Sequence, residues 1–143
     1  SFVIRIAGEG PLKKLLEDKI KEKGLADYFE LLGFRNDMPE LLASAHCLLL
    51  PSRWEGMPLI VLEAGAAGTP VMATPVGNLS SILNTSNSFI GELKGFPEML
   101  MELMNDYGSA IIKANRLKIL VESHFGILDA YQEHIESYAI PDS

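Results

Sequence analysis

Pro51-Ser52-Arg53-Trp54-Glu55-Gly56-Met57-Pro58-Leu59-Ile60-Val61-Leu62-Glu63-Ala64 is the stretch from which the rest of the chain is read. An apolar run, Cys47 to Leu50, stops at Pro51. A loop holding Gly56 and Pro58 follows, then an apolar helical pattern interrupted by one acid, Glu63. Proline suits the first helical position, where an N–H would have no intrahelical partner, so Pro58 is expected to open the helix. The free amides behind it, with the positive end of the helix dipole, make a natural anion site. Glu55 lies just before that start and Glu63 more than one turn inside it. The two carboxylates therefore need not touch, and can bracket a ligand lying across the helix end. The stretch reads as a cradle for a phosphorylated, hydroxyl-rich ligand.

Working outward, short apolar strands alternate with helical patterns. Phe2–Ala7 reads as a strand rich in β-branched residues, and the Gly8-Glu9-Gly10-Pro11 turn leads into a helix. Leu12, Leu15, Leu16 and Ile20 share one face of that helix, which Gly24 stops. Tyr28–Leu32 is a second strand, ended by Gly33. Asn36 and Asp37 offer capping oxygens to a short helix, Pro39–Ala45. His46–Pro51 is the third strand and Leu59–Ala67 the helix of the cradle, ended by Gly68. Pro70–Thr74 is a fourth strand, Leu79–Leu83 a short helix and Ser88–Gly91 a fifth strand. Three helical segments close the chain: Pro97–Asp106, Ser109–Ser123 and Leu128–Tyr138. This alternation predicts an α/β fold, a three-layer Rossmann-like parallel sheet flanked by helices, with a helical C-terminal segment. Ligands on such sheets bind beyond the carboxyl ends of the strands. Here those ends are Gly8–Pro11, Gly33–Asp37, Pro51–Pro58 and Thr74–Ser80, which puts the cradle on the rim.

Composition narrows the partners. The 143 residues suit one domain, with 48% hydrophobic and 22% charged residues as in a soluble globular protein. A net charge of −7 argues against nucleic acid or an anionic membrane as the main partner. No apolar run approaches the roughly 20 residues that span a bilayer, and Phe2–Ala7 is too short and strand-like for a signal peptide. With Cys47 the only cysteine, no internal disulfide is possible, and the expectation is a cytoplasmic protein. The abrupt start at a strand is what a fragment of a longer protein would show.

Other motifs weigh less. Gly8-x-Gly10 lacks the third glycine of a dinucleotide fingerprint, and no acid stands at the end of the second strand, so it reads as a structural turn. A receiver-type sheet would need acids clustered at strand ends, where this chain has Gly8, Pro51 and Thr74. His46, His124 and His134 show no ligand spacing. Cys47 reads as inert core, and Met99, Met101 and Met104 as helix packing. Leu128, Tyr131, Ile135 and Tyr138 form a helical stripe, and Arg53 and Trp54 read as exposed interface residues. Glu63 stands apart: a helix apolar nearly all round is buried, and a carboxylate within it needs donors, for which ribose hydroxyls are suited.

Gly-Glu-Gly-Pro at 8–11, Leu32-Gly33-Phe34, Pro51-Ser52-x-x-Glu55-Gly56-x-Pro58-x-x-x-Leu62-Glu63-Ala64 and Gly68-Thr69-Pro70-Val71 appear in that order. From Phe2 to about Leu83 the chain resembles the C-terminal, donor-binding domain of retaining glycosyltransferases with the B-type (GT-B) fold, family 4. The resemblance implies a hexosyltransferase of polysaccharide or glycoconjugate biosynthesis that uses a UDP-, GDP- or ADP-sugar and needs no metal or other cofactor. It assigns Glu63 to the ribose hydroxyls and Glu55, the catalytic residue, to hydroxyls of the transferred sugar. Backbone amides of Gly56, Met57, Leu59 and Ile60 would meet the sugar or diphosphate. Phe34, Arg35 and Met38 would flank the base, the last two through backbone groups. Configuration would be retained by a front-face displacement in which the leaving diphosphate takes the acceptor proton.

Two departures qualify the resemblance. Family members carry an Arg and a Lys, on a strand and loop before the Gly-Glu-Gly-Pro turn, that clamp the diphosphate; this sequence includes neither them nor the acceptor-binding N-terminal domain. Residues 1–143 are therefore expected to form a single donor-binding domain of a two-domain enzyme, lacking its first strand, with weak donor binding and no turnover alone. Any membrane association would run through the absent parts. Gly77-Asn78-Leu79-Ser80-Ser81 also stands where the family has a Gly-Gly-x-x-Glu-like stretch. Two alternatives remain: an epimerase or hydrolase of the same fold acting on a nucleotide sugar, and a non-catalytic nucleotide-binding or interaction module.

Overall fold

The element order in the computed structural model, which describes residues 2–56 and 58–125, is the alternation read from the sequence. It divides into two compact units after Met38. In the first, β1 (Ile4–Ala7) leads to α1 (Lys13–Glu22), and β2 (Phe29–Gly33) pairs parallel to β1 with Ile4 opposite Phe29 and Ile6 opposite Leu31. A turn of 3₁₀ helix at Ala26–Tyr28 takes up Tyr28, so β2 starts one residue later than expected. Hydrogen bonding of the Gly8 amide to the Gly33 carbonyl, at 2.7 Å, ties the ends of the two strands together.

The second unit is built on β3 (Leu48–Leu50), β4 (Val71–Ala73) and β5 (Phe89–Ile90), parallel and in that spatial order. α2 (Met38–Ser44) runs into it from the first unit; the others are α3 (Leu59–Ala67), α4 (Phe96–Asn105) and α5 (Tyr107–Phe125). β4 is central and wholly buried, and the period-2 alternation of a strand decides what each residue packs on. Val71 and Ala73 join Val61, Leu62 and Ala64 of α3 and Leu117 and Val121 of α5. Met72, pointing the other way, joins Phe89, Leu103 of α4 and Ala110 of α5. Helices thus cover both faces of the parallel sheet, and the expected α/β class is the one observed.

Several expectations are corrected. Pro58 is the N-cap of α3 rather than its first residue: its ring fixes φ at −75° but leaves ψ free, and an extended ψ of 105° starts the helix one residue later. The short helix expected at Leu79–Leu83 is a 3₁₀ turn at Gly77–Ser81, closed by bonds such as the Leu79 amide to the Val76 carbonyl. Met99 packs in the core beside Phe96, Leu100 and Leu103, one helical stripe of α4; Met101 and Met104 fall off that stripe and are exposed. The expected helix Leu128–Tyr138, with its apolar stripe and His134, lies outside the described residues.

Candidate functional site

β3 and β4 end side by side, Leu50 opposite Ala73, and the loops that leave them are tied together. The Thr74 hydroxyl donates to the Ser52 carbonyl at 2.5 Å, and the Ser52 hydroxyl donates to Glu55 Oε1 at 2.6 Å. Thr74 is buried while Ser52 and Glu55 are half-buried, so the relay runs from the core outward to the Glu55 carboxylate. One oxygen of Glu55 is thereby held by a neutral donor of its own chain. Arg53, Trp54 and Gly56 around it are exposed, Trp54 at 82%.

α3 begins directly after this loop. No side chain caps it, Pro58 has no N–H, and the Val61 amide bonds to the Pro58 carbonyl at 3.0 Å. The amides of Leu59 and Ile60 precede the intrahelical ladder and can meet an anion. On the same helix Val61, Leu62, Ala64 and Gly65 are buried and Glu63 is half-buried. The α3 backbone ends at Gly68, whose φ of 72° is the left-handed conformation that terminates a helix. Glu55, Gly56, Leu59, Ile60 and Glu63 thus all lie on one loop-to-helix segment; Met57 lies outside the described residues.

The remaining sequence-predicted residues belong to the first unit, apart from α2's own continuation. Phe34 is 76% exposed just after β2. Arg35 grips Asp37 through two hydrogen bonds, its Nε to Oδ1 at 2.7 Å and its Nη2 to Oδ2. That pairing raises the Arg35 pKa and holds the Asp37 carboxyl below the usual carboxylate range. Its guanidinium is committed to this contact, and Met38 is the first residue of α2.

Elsewhere the chemistry is quiet. Burial pushes the Cys47 thiol up to about 12, so it stays protonated at neutral pH. His46 stacks edge-on with Tyr107, ring centres 5.4 Å apart, and Tyr107 is itself raised by burial. Among the described residues, no three His, Cys, Asp or Glu side chains gather where they could hold a metal ion. No described helix is long and apolar enough to cross a membrane.

Sequence reasoning missed Thr74 and the role of Ser52. Ser52 stands three residues before Glu55, a local spacing that hints at the bond. Thr74 is 22 residues from Ser52, and only the pairing of β3 with β4 brings them together.

Comparison with known proteins supplies the family context. A model of the family described as Glycosyl transferases group 1 matches residues 1–106. The UDP-Gal:alpha-D-GlcNAc-diphosphoundecaprenol alpha-1,3-galactosyltransferase of Escherichia coli is 35% identical over 104 residues, which are 71% of this chain and 27% of that protein. Among solved structures, Anabaena Alr3699/HepE in complex with UDP superposes with a TM-score of 0.82 at 22% identity, covering 95% of this chain and 40% of HepE. The C-terminal domain of the glycosyl transferase group 1 family protein LpcC of Francisella tularensis gives 0.71 at 27% identity, over 80% of this chain and 62% of that one. The chain spans 27% to 36% of the length of the first curated relatives it matches.

Proposed function

This chain belongs to the group 1 glycosyl transferases, and from that premise we propose that it supplies the donor-binding half of a retaining hexosyltransferase using a nucleoside-diphosphate sugar. The observation that carries the proposal is the loop-to-helix segment itself: a carboxylate held by Ser52 at the mouth of an uncapped helix, with a second, half-buried carboxylate on that helix. Glu63 accepts hydrogen bonds from the ribose hydroxyls. The second carboxylate oxygen of Glu55 accepts from hydroxyls of the transferred sugar, next to its anomeric carbon. Amides of Gly56, Leu59 and Ile60 meet the sugar or the diphosphate, while Met57 at the diphosphate and Phe34, Arg35 and Met38 beside the base keep the roles that the family resemblance assigns them. The names of relatives support a nucleotide sugar: a UDP-Gal-dependent transferase among the curated proteins, and HepE crystallised with UDP and with UDP-glucose.

In this reading no resident metal takes part. The acceptor oxygen forms its bond to the anomeric carbon on the face from which the diphosphate departs, and the departing phosphate oxygen takes the acceptor proton. The protein positions the reactants and stabilises charge on the leaving group. In the family the acceptor binds an N-terminal domain and the diphosphate clamp stands on a strand and loop before the Gly-Glu-Gly-Pro turn; residues 1–143 include neither, so by themselves they are expected to bind donor weakly and not to turn over. Calorimetric or NMR titration with UDP, GDP and ADP and their sugars tests the proposal. Saturable binding of one of the three that Glu63→Ala abolishes is expected. Indifference to Glu63→Ala would favour a non-catalytic module, and sugar transfer by the chain alone would contradict the two-domain reading.

A further inference from the structure

Gly77 lies in the turn that leaves β4, where that turn passes beneath the loop carrying Glu55. Its φ is +56°, a left-handed backbone that L side chains rarely adopt. Space is the stronger constraint. A Cβ built on Gly77 would collide with the Glu55 carbonyl oxygen, stand 2.9 Å from the Glu55 carbonyl carbon and 3.5 Å from the Gly56 oxygen. These are backbone atoms, which cannot swing aside as the end of a flexible side chain can.

The geometry also shows which partner would yield. The Gly77 turn is pinned on both sides: Thr74 is buried at the end of β4, and Leu79, two residues on, is wholly buried in the core. The 53–56 loop has no such anchor among its own side chains, since Arg53, Trp54 and Gly56 are exposed. Among the described residues, the side-chain hydrogen bonds that hold it are Ser52 to Glu55 and, one step further in, Thr74 to Ser52. A side chain at Gly77 therefore displaces Glu55, and with it the carboxylate that Ser52 holds.

We propose that Gly77 is a positioning residue for Glu55: only a residue without a side chain lets the β4 turn support the Glu55 backbone from below while Thr74 and Ser52 fix it from the side. The inference rests on the reading of Glu55 as a contact to the transferred sugar. It also gives a physical reason for a glycine at 77.

The test compares Gly77→Ala, Gly77→Asn and Thr74→Val in the full 143-residue chain. Asparagine tolerates a left-handed φ but keeps the Cβ, so it separates strain from collision. Amide ¹H–¹⁵N spectra of the free chain are read first. Both Gly77 variants are expected to shift Ser52–Gly56 together while Val71 and Leu117 hold their positions, and Thr74→Val, which keeps the fold's shape, is expected to move the same loop. Unmoved Ser52–Gly56 signals in the Gly77 variants, or a wild-type spectrum restored by Asn, would overturn the proposal. Should neither Gly77 variant fold, Thr74→Val decides: a still loop overturns it. Affinities for UDP and UDP-glucose then read the role in donor binding. Gly77→Ala is expected to lower UDP-glucose affinity roughly tenfold, the scale of one charge-assisted hydrogen bond, with UDP nearly unaffected. In a Glu55→Ala background the same change should do nothing further, and an additive loss would refute action through Glu55. If the chain binds neither probe, the ligand-free spectra alone decide the positioning of Glu55, and the proposed function is decided separately by the titrations with UDP, GDP and ADP and their sugars.

Discussion

Gly65 is where the helix carrying Glu63 touches α5 most closely. A Cβ there would lie 2.8 Å from Val121 Cγ2 and 3.2 Å from Leu117 Cγ, both side chains wholly buried. In an unobstructed helix, Gly→Ala stabilises by about 1 kcal/mol through the backbone entropy of the unfolded chain. Here the new methyl must push into a closed interface. Val121 is β-branched and in a helix has one strongly preferred rotamer, so it cannot turn away cheaply. Overpacking of this kind costs about 1–3 kcal/mol. The gain and the cost together leave Gly65→Ala destabilised by about 1 kcal/mol, opposite in sign to the propensity effect. Urea unfolding followed by far-UV circular dichroism reads the midpoint, with an unchanged slope showing that the denatured state is the same. The double variant Gly65→Ala/Val121→Ala supplies the control: the added methyl then partly fills the space that Val121→Ala vacates. The two changes should couple favourably by about 1 kcal/mol or more. A Gly65→Ala chain more stable than wild type, or strict additivity in the double variant, would refute the close approach of α3 to α5.

Asn87, 4% exposed, accepts from the Asn84 amide at 2.8 Å and donates to the Ile82 carbonyl at 2.9 Å. Asn87→Ala strands both groups and should cost about 2 kcal/mol in the same unfolding assay; a loss within error would show water replacing the side chain. The Cys47 thiol is raised from 9.0 to about 12, which disfavours the thiolate in the folded chain. Its contribution to stability is complete below the unfolded value near 9 and is lost as pH rises from there toward 12. Wild type should therefore lose stability relative to Cys47→Ala between about pH 8 and pH 10, and a pH-independent difference between the two would refute the burial of the thiol. Thr69 donates its hydroxyl to the Leu42 carbonyl at 2.9 Å in the core, so Thr69→Val should cost about 1 kcal/mol by the same measurement, and stabilisation would count against that bond.

Residues local to one segment were legible without the fold. The apolar run into Pro51, the all-apolar helix from Leu59 and the glycine at 68 announce a strand, a loop and a capped helix through patterns of a few residues, and Glu55 and Glu63 follow from their places in them. Boundaries slipped by a residue or two where two local preferences competed, as at Pro58 and at the 3₁₀ turn from Gly77. The split between Met99 and its neighbours Met101 and Met104 depended on which stripe of α4 met the sheet, which the helix cannot state about itself.

What the chain's order of residues determined, then, was the parallel α/β class and the presence of two acids around one helix start, because hydrophobic period and turn chemistry act over short distances. Tertiary structure alone decided what holds those acids. The Thr74–Ser52–Glu55 relay and the passage of Gly77 beneath Glu55 exist because β3 and β4 lie side by side, and hydrogen bonds and steric limits between residues some 20 positions apart arise only once the sheet has brought them within a few ångströms.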